Sequence, residues 1–109
     1  MNLDNLTIGE LKQLNSLIGR TNNHPFEIGA SYFIRTVTMI QTGRIVEVTE
    51  NEIVLEDAAW IADTGRFNES IKNGQFNEVE PFPDGKVIVG RHAIIDAIKV
   101  TWELPRKAK

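Results

Sequence analysis

The sequence predicts a small, mainly β protein with an N-terminal α-helix and a second short helix between its third and fourth strands. Three observations lead to this prediction. The 109 residues are close to the usual length of one domain. From residue 31 onward, β-branched and aromatic residues recur in short runs that Gly, Asn and Pro interrupt, which is typical of strands and turns. Helical spacing of apolar residues occurs near the N-terminus and again after residue 64. We therefore predict a single domain, residues 1–109.

The N-terminal helix is predicted over residues 7–19. Residues 7–10 read Thr-Ile-Gly-Glu, which matches the capping box that begins many helices, and Gly19 is well placed to end the element. Two interpretations of its apolar stripe are open: it packs on the chain's own β domain, or it packs on a neighbouring subunit. The stripe consists of Ile8, Leu11, Leu14, Leu17 and Ile18.

Five strands are predicted between residues 31 and 102. Turn signals separate the first three: Thr42-Gly43 follows the first strand, and Glu50-Asn51 follows the second. These three strands are predicted to form an antiparallel meander. The predicted strands are Tyr32–Ile40, Arg44–Val48, Ile53–Ala59, Lys86–Val89 and Ile94–Thr101.

An insertion between the third and fourth strands covers residues 61–85. Its first part predicts a short helix over Gly65–Lys72, with Asp63 or Thr64 as the N-cap and Asn73-Gly74 as the stop. The remainder of the insertion contains prolines and is predicted to be irregular.

Two segments of the predicted meander carry a resemblance to a known fold. Gly-Arg-Ile-Val-Glu-Val at 43–48 and Val-Leu-Glu-Asp-Ala at 54–58 resemble the first half of an Sm-like barrel, in which a glycine turn and a bent strand precede a strand ending Leu-x-Asp-Ala. Val-Gly-Arg at 89–91, followed by the apolar pair 94–95, is similar to the second half. The resemblance implies a five-stranded Sm-like or SH3-like barrel over residues 31–102. Because edge strands of such open barrels pair between copies, it also implies a homo-oligomer, of which a ring is one form.

The Sm-like family includes RNA-binding rings, and these give an alternative function. Two of the family's features are missing here: the Met-Asn loop that holds RNA bases and the glycine that bends the second strand. The net charge of −3 also disfavours nucleic acid as a partner, because nucleic-acid-binding domains usually carry a basic excess. The basic cluster of Arg106, Lys107 and Lys109 is predicted to be a solvated tail.

A second resemblance runs almost from end to end. Tyr-Phe-Ile-Arg-Thr-Val-Thr-Met at 32–39 and Thr-Gly-Arg at 42–44 are followed by residues 55–67, Glu-Val-Glu-Pro at 78–81 and Val-Ile-Val-Gly-Arg at 87–91. This series resembles a family of small uncharacterised proteins carried by bacteriophages and prophages. The resemblance implies a viral accessory protein that works in the cytoplasm of the host bacterium.

The composition of the chain indicates its cellular compartment and excludes some types of site. The sequence has no cysteine, which rules out disulfides and thiolate metal sites. No apolar run is long enough to span a bilayer, and the N-terminal residues include Asp4 and Glu10 without a signal-peptide stretch. We therefore expect a cytoplasmic protein with no membrane partner.

Catalytic and metal chemistry finds little support in the sequence. His24 and His92 are the only histidines, and neither has a second histidine at ligand spacing. The adjacent residues Glu56 and Asp57 are expected to point to opposite faces of a strand, where they would not form a carboxylate pair. The sequence contains no phosphate-binding glycine loop and no nucleophile elbow. We therefore predict a protein that is not an enzyme, has no metal site and uses no cofactor.

A small-ligand site has better support. Residues 55–67 run from the end of a predicted strand to the start of a predicted helix, and they hold an aromatic, a carboxylate, a hydroxyl and an arginine. Arginine and hydroxyl groups suit phosphates, and aromatic faces suit a nucleotide base. In the alternative interpretation Trp60 and Phe67 fill the core, and Arg66 pairs with a neighbouring carboxylate. The predicted ligand-binding residues are Arg35, Thr36, Thr38, Arg44, Trp60, Asp63, Thr64, Arg66, Phe67 and Arg91.

These inferences together predict a non-enzymatic phage accessory protein that binds and sequesters a small nucleotide-type signalling molecule. Bacteria use cyclic nucleotides and ADP-ribose derivatives as antiviral signals, and a small oligomeric phage protein can act as a sponge for them; this step is an analogy from the setting. Two alternatives remain. One is the RNA-binding Sm-like ring, and the other is a protein-interaction module that inhibits a host factor through Gln75–Gly85.

Overall fold

The structure is a computed structural model and describes residues 23–84 and 86–109. Within these residues the protein is mainly β, as the sequence predicts: six antiparallel strands form one sheet, and one α-helix lies between the third and fourth strands. The predicted N-terminal helix, residues 7–19, lies outside the described residues. The elements are β1 (Ser31–Thr36), β2 (Ile40–Val48), β3 (Glu52–Asp63), α1 (Phe67–Asn73), β4 (Glu78–Pro81), β5 (Val87–Gly90), a short 3₁₀ helix (Arg91–Ala93) and β6 (Ile94–Val100).

β3 organises the sheet because it is 12 residues long and pairs with three strands. The strand order is β4-β3-β2-β1-β6. On the edge away from β2, the first half of β3 pairs with β5 and the second half pairs with β4. Among the described residues, β5 and β6 each pair with a single strand, so the sheet is not closed.

Both faces of the sheet bury apolar side chains, because successive residues of a strand point to opposite faces. In β1, Tyr32 and Ile34 belong to one cluster and Phe33 belongs to the other. Ile71 of α1 and Trp102, which follows β6, pack against the Phe33 cluster. The first cluster comprises Tyr32, Ile34, Ile45, Ile53, Leu55, Ala58 and Val89, and the second comprises Phe33, Ala59, Ile61, Phe76, Val79 and Val100.

The first turn lies earlier in the chain than predicted. β1 ends at Thr36, and β2 passes through Thr42 and Gly43, so the prediction of a turn at Thr42-Gly43 is wrong. Thr36 closes the true turn: its N–H donates to the Met39 carbonyl at 2.7 Å, and its hydroxyl accepts the Met39 N–H at 3.0 Å. Gly43 permits a close approach of strands instead, because a Cβ there would lie 3.0 Å from the Cβ of Leu55.

The insertion also differs from its prediction. It contains β4, which pairs with the end of β3, so the sheet has six strands among the described residues rather than five. α1 ends as predicted at Gly74, which adopts the left-handed conformation with φ 68°. The predicted N-cap of Asp63 or Thr64 is wrong, because Arg66 occupies that position and its side chain makes no capping hydrogen bond.

Candidate functional site

Four of the predicted ligand-binding residues line one open cleft, which we call the Trp60 cleft. Its volume is about 440 Å³, which falls in the range of small-molecule sites. Ala59 and Ile61 are buried on one face of β3, so Trp60 points to the other face and is 39% exposed. Trp60 therefore does not fill the core. The cleft is lined by the turn 36–39, residues 60–62, Arg35, Ile40 and Ile95.

Arg35 carries the positive charge of the Trp60 cleft. It lies opposite Asp96 in the register of β1 and β6; its Nε donates to Asp96 Oδ1 at 2.9 Å, and its Nη2 donates to Oδ2 of the same carboxylate. This pairing lowers the pKa of Asp96. The guanidinium carbon also lies 5.2 Å from the ring centre of Phe67, a cation–π distance. Nη1 donates to no described residue, so it is available to an anionic group.

The two threonines of the cleft have different surroundings. The Thr36 hydroxyl is engaged with the backbone of Met39, to which it both donates and accepts at 3.0 Å. Thr38 lies at the exposed tip of the turn, and its hydroxyl bonds to no described residue. Of the two, Thr38 therefore offers the free hydroxyl.

Of the predicted residues that precede α1, Thr64 and Arg66 line a different cavity, also of about 440 Å³, and Asp63 ends β3 beside them. Asp63 accepts the N–H of Gly65 at 2.8 Å, and the Thr64 hydroxyl donates to the Gly65 carbonyl at 3.0 Å. These side chains therefore shape the loop. Arg66 forms no ion pair within residues 23–84 and 86–109, and it shares this cavity with Lys109.

Arg44 lies apart from both cavities and holds a bulge in β3. Asp57 has φ 52°, and the register of β2 against β3 shifts at this point. The bulge brings two carboxylates to one guanidinium: Arg44 Nη1 lies 2.7 Å from Asp57, and Nη2 lies 3.5 Å from Glu56. The expectation that these carboxylates point to opposite faces is therefore wrong. The hydrogen bond from Arg44 lowers the pKa of Asp57. The carboxylates of Asp57 and Glu56 offset the positive charge of Arg44.

Arg91, which begins the 3₁₀ helix, bonds to the turn between β2 and β3 and does not line the Trp60 cleft. Its Nη1 donates to the carbonyls of Thr49 at 2.7 Å and Glu50 at 3.2 Å, between β2 and β3. Its guanidinium carbon lies 6.0 Å from the ring centre of Phe26. The structure thus brings together Arg35, Thr36, Thr38 and Trp60, with Phe67 against Arg35, and separates them from Asp63, Thr64, Arg66, Arg44 and Arg91.

Sequence reasoning missed the apolar rim of the cleft. Val37 and Ile95 are 71% and 64% exposed, and Met39 is also exposed. Val37 and Met39 fall inside the predicted first strand, where apolar residues indicate burial, and the true turn exposes them instead. The sequence likewise carries no signal for Asp96 as the partner of Arg35, which lies 61 positions away.

Other kinds of site find no support in the part of the chain that the structure describes. No group of three His, Cys, Asp or Glu side chains within residues 23–84 and 86–109 is arranged to hold a metal ion. No helix in these ranges is long and apolar enough to cross a membrane. Comparison with known proteins returns no relative: no family model, curated protein or solved structure matches the chain. A function for the chain therefore rests on the geometry of its own residues.

Proposed function

We propose that this chain is a non-enzymatic protein that binds a small nucleotide-type molecule in the Trp60 cleft. The observation that carries the proposal is that Trp60, which is 39% exposed, and Arg35 both line the cleft. An aromatic face stacks on a base of any identity, and a guanidinium nitrogen binds a phosphate oxygen. The exposed hydroxyl of Thr38 supplies a further polar contact.

The charge distribution favours a small ligand over a nucleic acid. Asp96 offsets the charge of Arg35 and occupies two of its three nitrogens, which leaves Nη1 for a phosphate. Affinity would come mainly from stacking on Trp60 and from the apolar rim formed by Val37 and Ile95. An RNA-binding ring would instead draw its affinity from many phosphate contacts and would weaken steeply with salt.

The proposed role is sequestration of a signal used in host defence, without its conversion. This role rests on the resemblance to bacteriophage and prophage proteins and places the chain in the host cytoplasm. We also propose that the open sheet is an Sm-like or SH3-like arrangement that assembles as a homo-oligomer, for which a ring is one form. The support for assembly is that β5 and β6 each leave one edge unpaired among the described residues, and free edges favour pairing between copies.

Native mass spectrometry of the protein purified gently from bacterial cells tests both parts of this proposal. The expected result is a defined oligomer with added mass of nucleotide size, which heat releases chemically unchanged. Titration with ADP-ribose and with a cyclic dinucleotide, followed by tryptophan fluorescence, then measures affinity. If no added mass is found and neither probe binds, the proposed function is wrong.

Three variants locate the site. Trp60→Ala is expected to lose roughly tenfold or more in affinity, since stacking on an aromatic side chain contributes about 1–3 kcal/mol per base. Arg35→Ala is expected to weaken binding of phosphorylated probes more than binding of a nucleoside. Arg66→Ala is the matched control, because it removes an exposed arginine that lines the other cavity. Equal affinity of Trp60→Ala and the wild type would rule out this cleft.

A further inference from the structure

Lys109 pairs with β4 on the edge that β3 leaves open. The N–H of Val79 donates to the Lys109 carbonyl at 3.1 Å, and the N–H of Lys109 donates to the Val79 carbonyl at 2.9 Å. Two residues that exchange both bonds form the hydrogen-bonded pair of an antiparallel ladder. The short strand β4 is therefore paired with β3 on one side and with the single residue Lys109 on the other.

The segment 106–109 is held by few contacts. Besides the pair at Lys109, Arg106 donates from Nη1 to the Ala58 carbonyl at 3.1 Å and lies 3.8 Å from the Asp57 carboxylate. All four residues of the segment are exposed. An incoming strand that makes the same backbone bonds would therefore displace the segment without uncovering an apolar core.

The two partners have opposite charge. In β4, the exposed residues Glu78 and Glu80 flank the buried Val79, and neither forms an ion pair with a described residue. Arg106, Lys107 and Lys109 make the segment strongly basic. Opposite charges on neighbouring strands stabilise pairing, and like charges oppose it. The edge thus combines the backbone N–H and carbonyl of Val79, which Lys109 now satisfies, with two carboxylates that favour a basic strand.

We propose that the outer edge of β4 is a docking site for an extended, basic peptide segment of a partner protein, which adds to the sheet in place of residues 106–109. Recognition comes from the backbone ladder at Val79 and from Glu78 and Glu80. The chain's own segment acts as a built-in competitor, because its attachment gives it a high effective concentration at the edge.

Fluorescence anisotropy on the full chain tests this proposal. The probe is a labelled peptide with the sequence of residues 104–109, Leu-Pro-Arg-Lys-Ala-Lys, titrated to millimolar protein. Lys109→Pro removes the N–H that bonds Val79, so the internal competitor weakens and the probe is expected to bind about threefold to tenfold tighter. Ala108→Pro is the matched control, because the Ala108 N–H bonds to no described backbone group. It is expected to leave probe affinity at the wild-type value.

Further variants test the source of the affinity. Replacing both Glu78 and Glu80 by Gln is expected to weaken the probe and to reduce its salt dependence. A charge-reversed peptide, Leu-Pro-Glu-Glu-Ala-Glu, is expected not to bind. The proposal is overturned if Lys109→Pro and wild type bind the probe equally, if neither binds it, or if the charge-reversed peptide binds as well. Dimerisation of the chain that Lys109→Pro abolishes would also overturn it, because the occupant would then be a second copy.

Discussion

Replacing Gly74 by alanine tests how the chain after β6 is fixed to α1. Gly74 ends α1 with φ 68°, a conformation that L side chains rarely adopt. A Cβ at this position would lie 2.5 Å from Cδ2 and 2.6 Å from Cε3 of Trp102. The contact is with a rigid ring rather than with the end of a flexible side chain. Alanine therefore requires both a strained backbone and a displaced indole.

The cost of Gly74→Ala follows from what Trp102 would lose. Its Nε1 donates to the Ile71 carbonyl at 2.9 Å, and its ring meets the edge of Phe76 at 5.6 Å between centroids. Left-handed backbone costs about 1–2 kcal/mol for alanine, the hydrogen bond about 1 kcal/mol and the aromatic pair about 0.5–1.5 kcal/mol. We expect the free energy of unfolding to fall by about 2.5–4.5 kcal/mol.

Urea unfolding of three alanine variants separates the cost of backbone strain at Gly74 from the cost of steric overlap with Trp102. Gly29 has φ 93° and open space around its missing Cβ, so Gly29→Ala measures the backbone term alone. Gly90 has φ −68° and also faces open space, so Gly90→Ala is expected to change stability by less than about 0.5 kcal/mol. If Gly74→Ala lowers the free energy of unfolding by no more than Gly29→Ala does, the predicted overlap of a Cβ at position 74 with Trp102 is wrong.

Two further substitutions test the buried hydroxyl of Thr42 and the contribution of Asp96 to stability at low pH. Thr42 is fully buried and its hydroxyl has no partner among the described residues, so Thr42→Val is expected to raise the free energy of unfolding by about 1 kcal/mol; a loss of similar size would contradict this. The pKa of Asp96 is lowered by Arg35, so the pair stabilises the protein above the unfolded pKa of about 3.9, and this stabilisation is lost as pH falls through the lower folded pKa. Asp96→Asn should therefore flatten the acid limb of the stability profile, and an acid limb identical to that of the wild type would contradict this prediction.

Local sequence signals predicted those elements that local interactions decide. The end of α1 at Gly74 follows from the need for a left-handed residue, which glycine supplies. Gly43 carries the same residue type but serves close contact with Leu55 on the neighbouring strand, which no local pattern reveals. The sequence does not predict β4, because Pro81, Pro83 and Asp84-Gly85 indicate irregular structure in that segment. Its pairing depends on β3 and on Lys109, which lie far away in sequence.

The contacts of the candidate site likewise join residues that lie far apart in the sequence, and local patterns do not predict them. The sequence identified residue types suited to a nucleotide, but it did not indicate which arginines are already neutralised or bound. Arg44 is held by carboxylates across a bulge, and Arg91 is held by backbone carbonyls 41 and 42 positions away. Only the register of β1 with β6 decides that Arg35 meets Asp96. Strand alternation places Trp60 opposite the face of Ala59 and Ile61. Because both faces of the sheet bury apolar residues, the sequence alone does not predict that Trp60 is exposed.

The two proposed surfaces share β3 and still depend on different contacts. Trp60 lies opposite Glu80 in the register of β3 and β4, so the strand that presents the indole also supports the docking edge. Displacing the segment 106–109 would remove Arg106 from the Ala58 carbonyl and from Asp57. Arg44 would still hold the bulge at Asp57, and the pairing of β3 with β4 would stay intact. The pairing of β3 with β4 that positions Trp60 therefore does not depend on the segment 106–109, and failure of one proposal would leave the other standing.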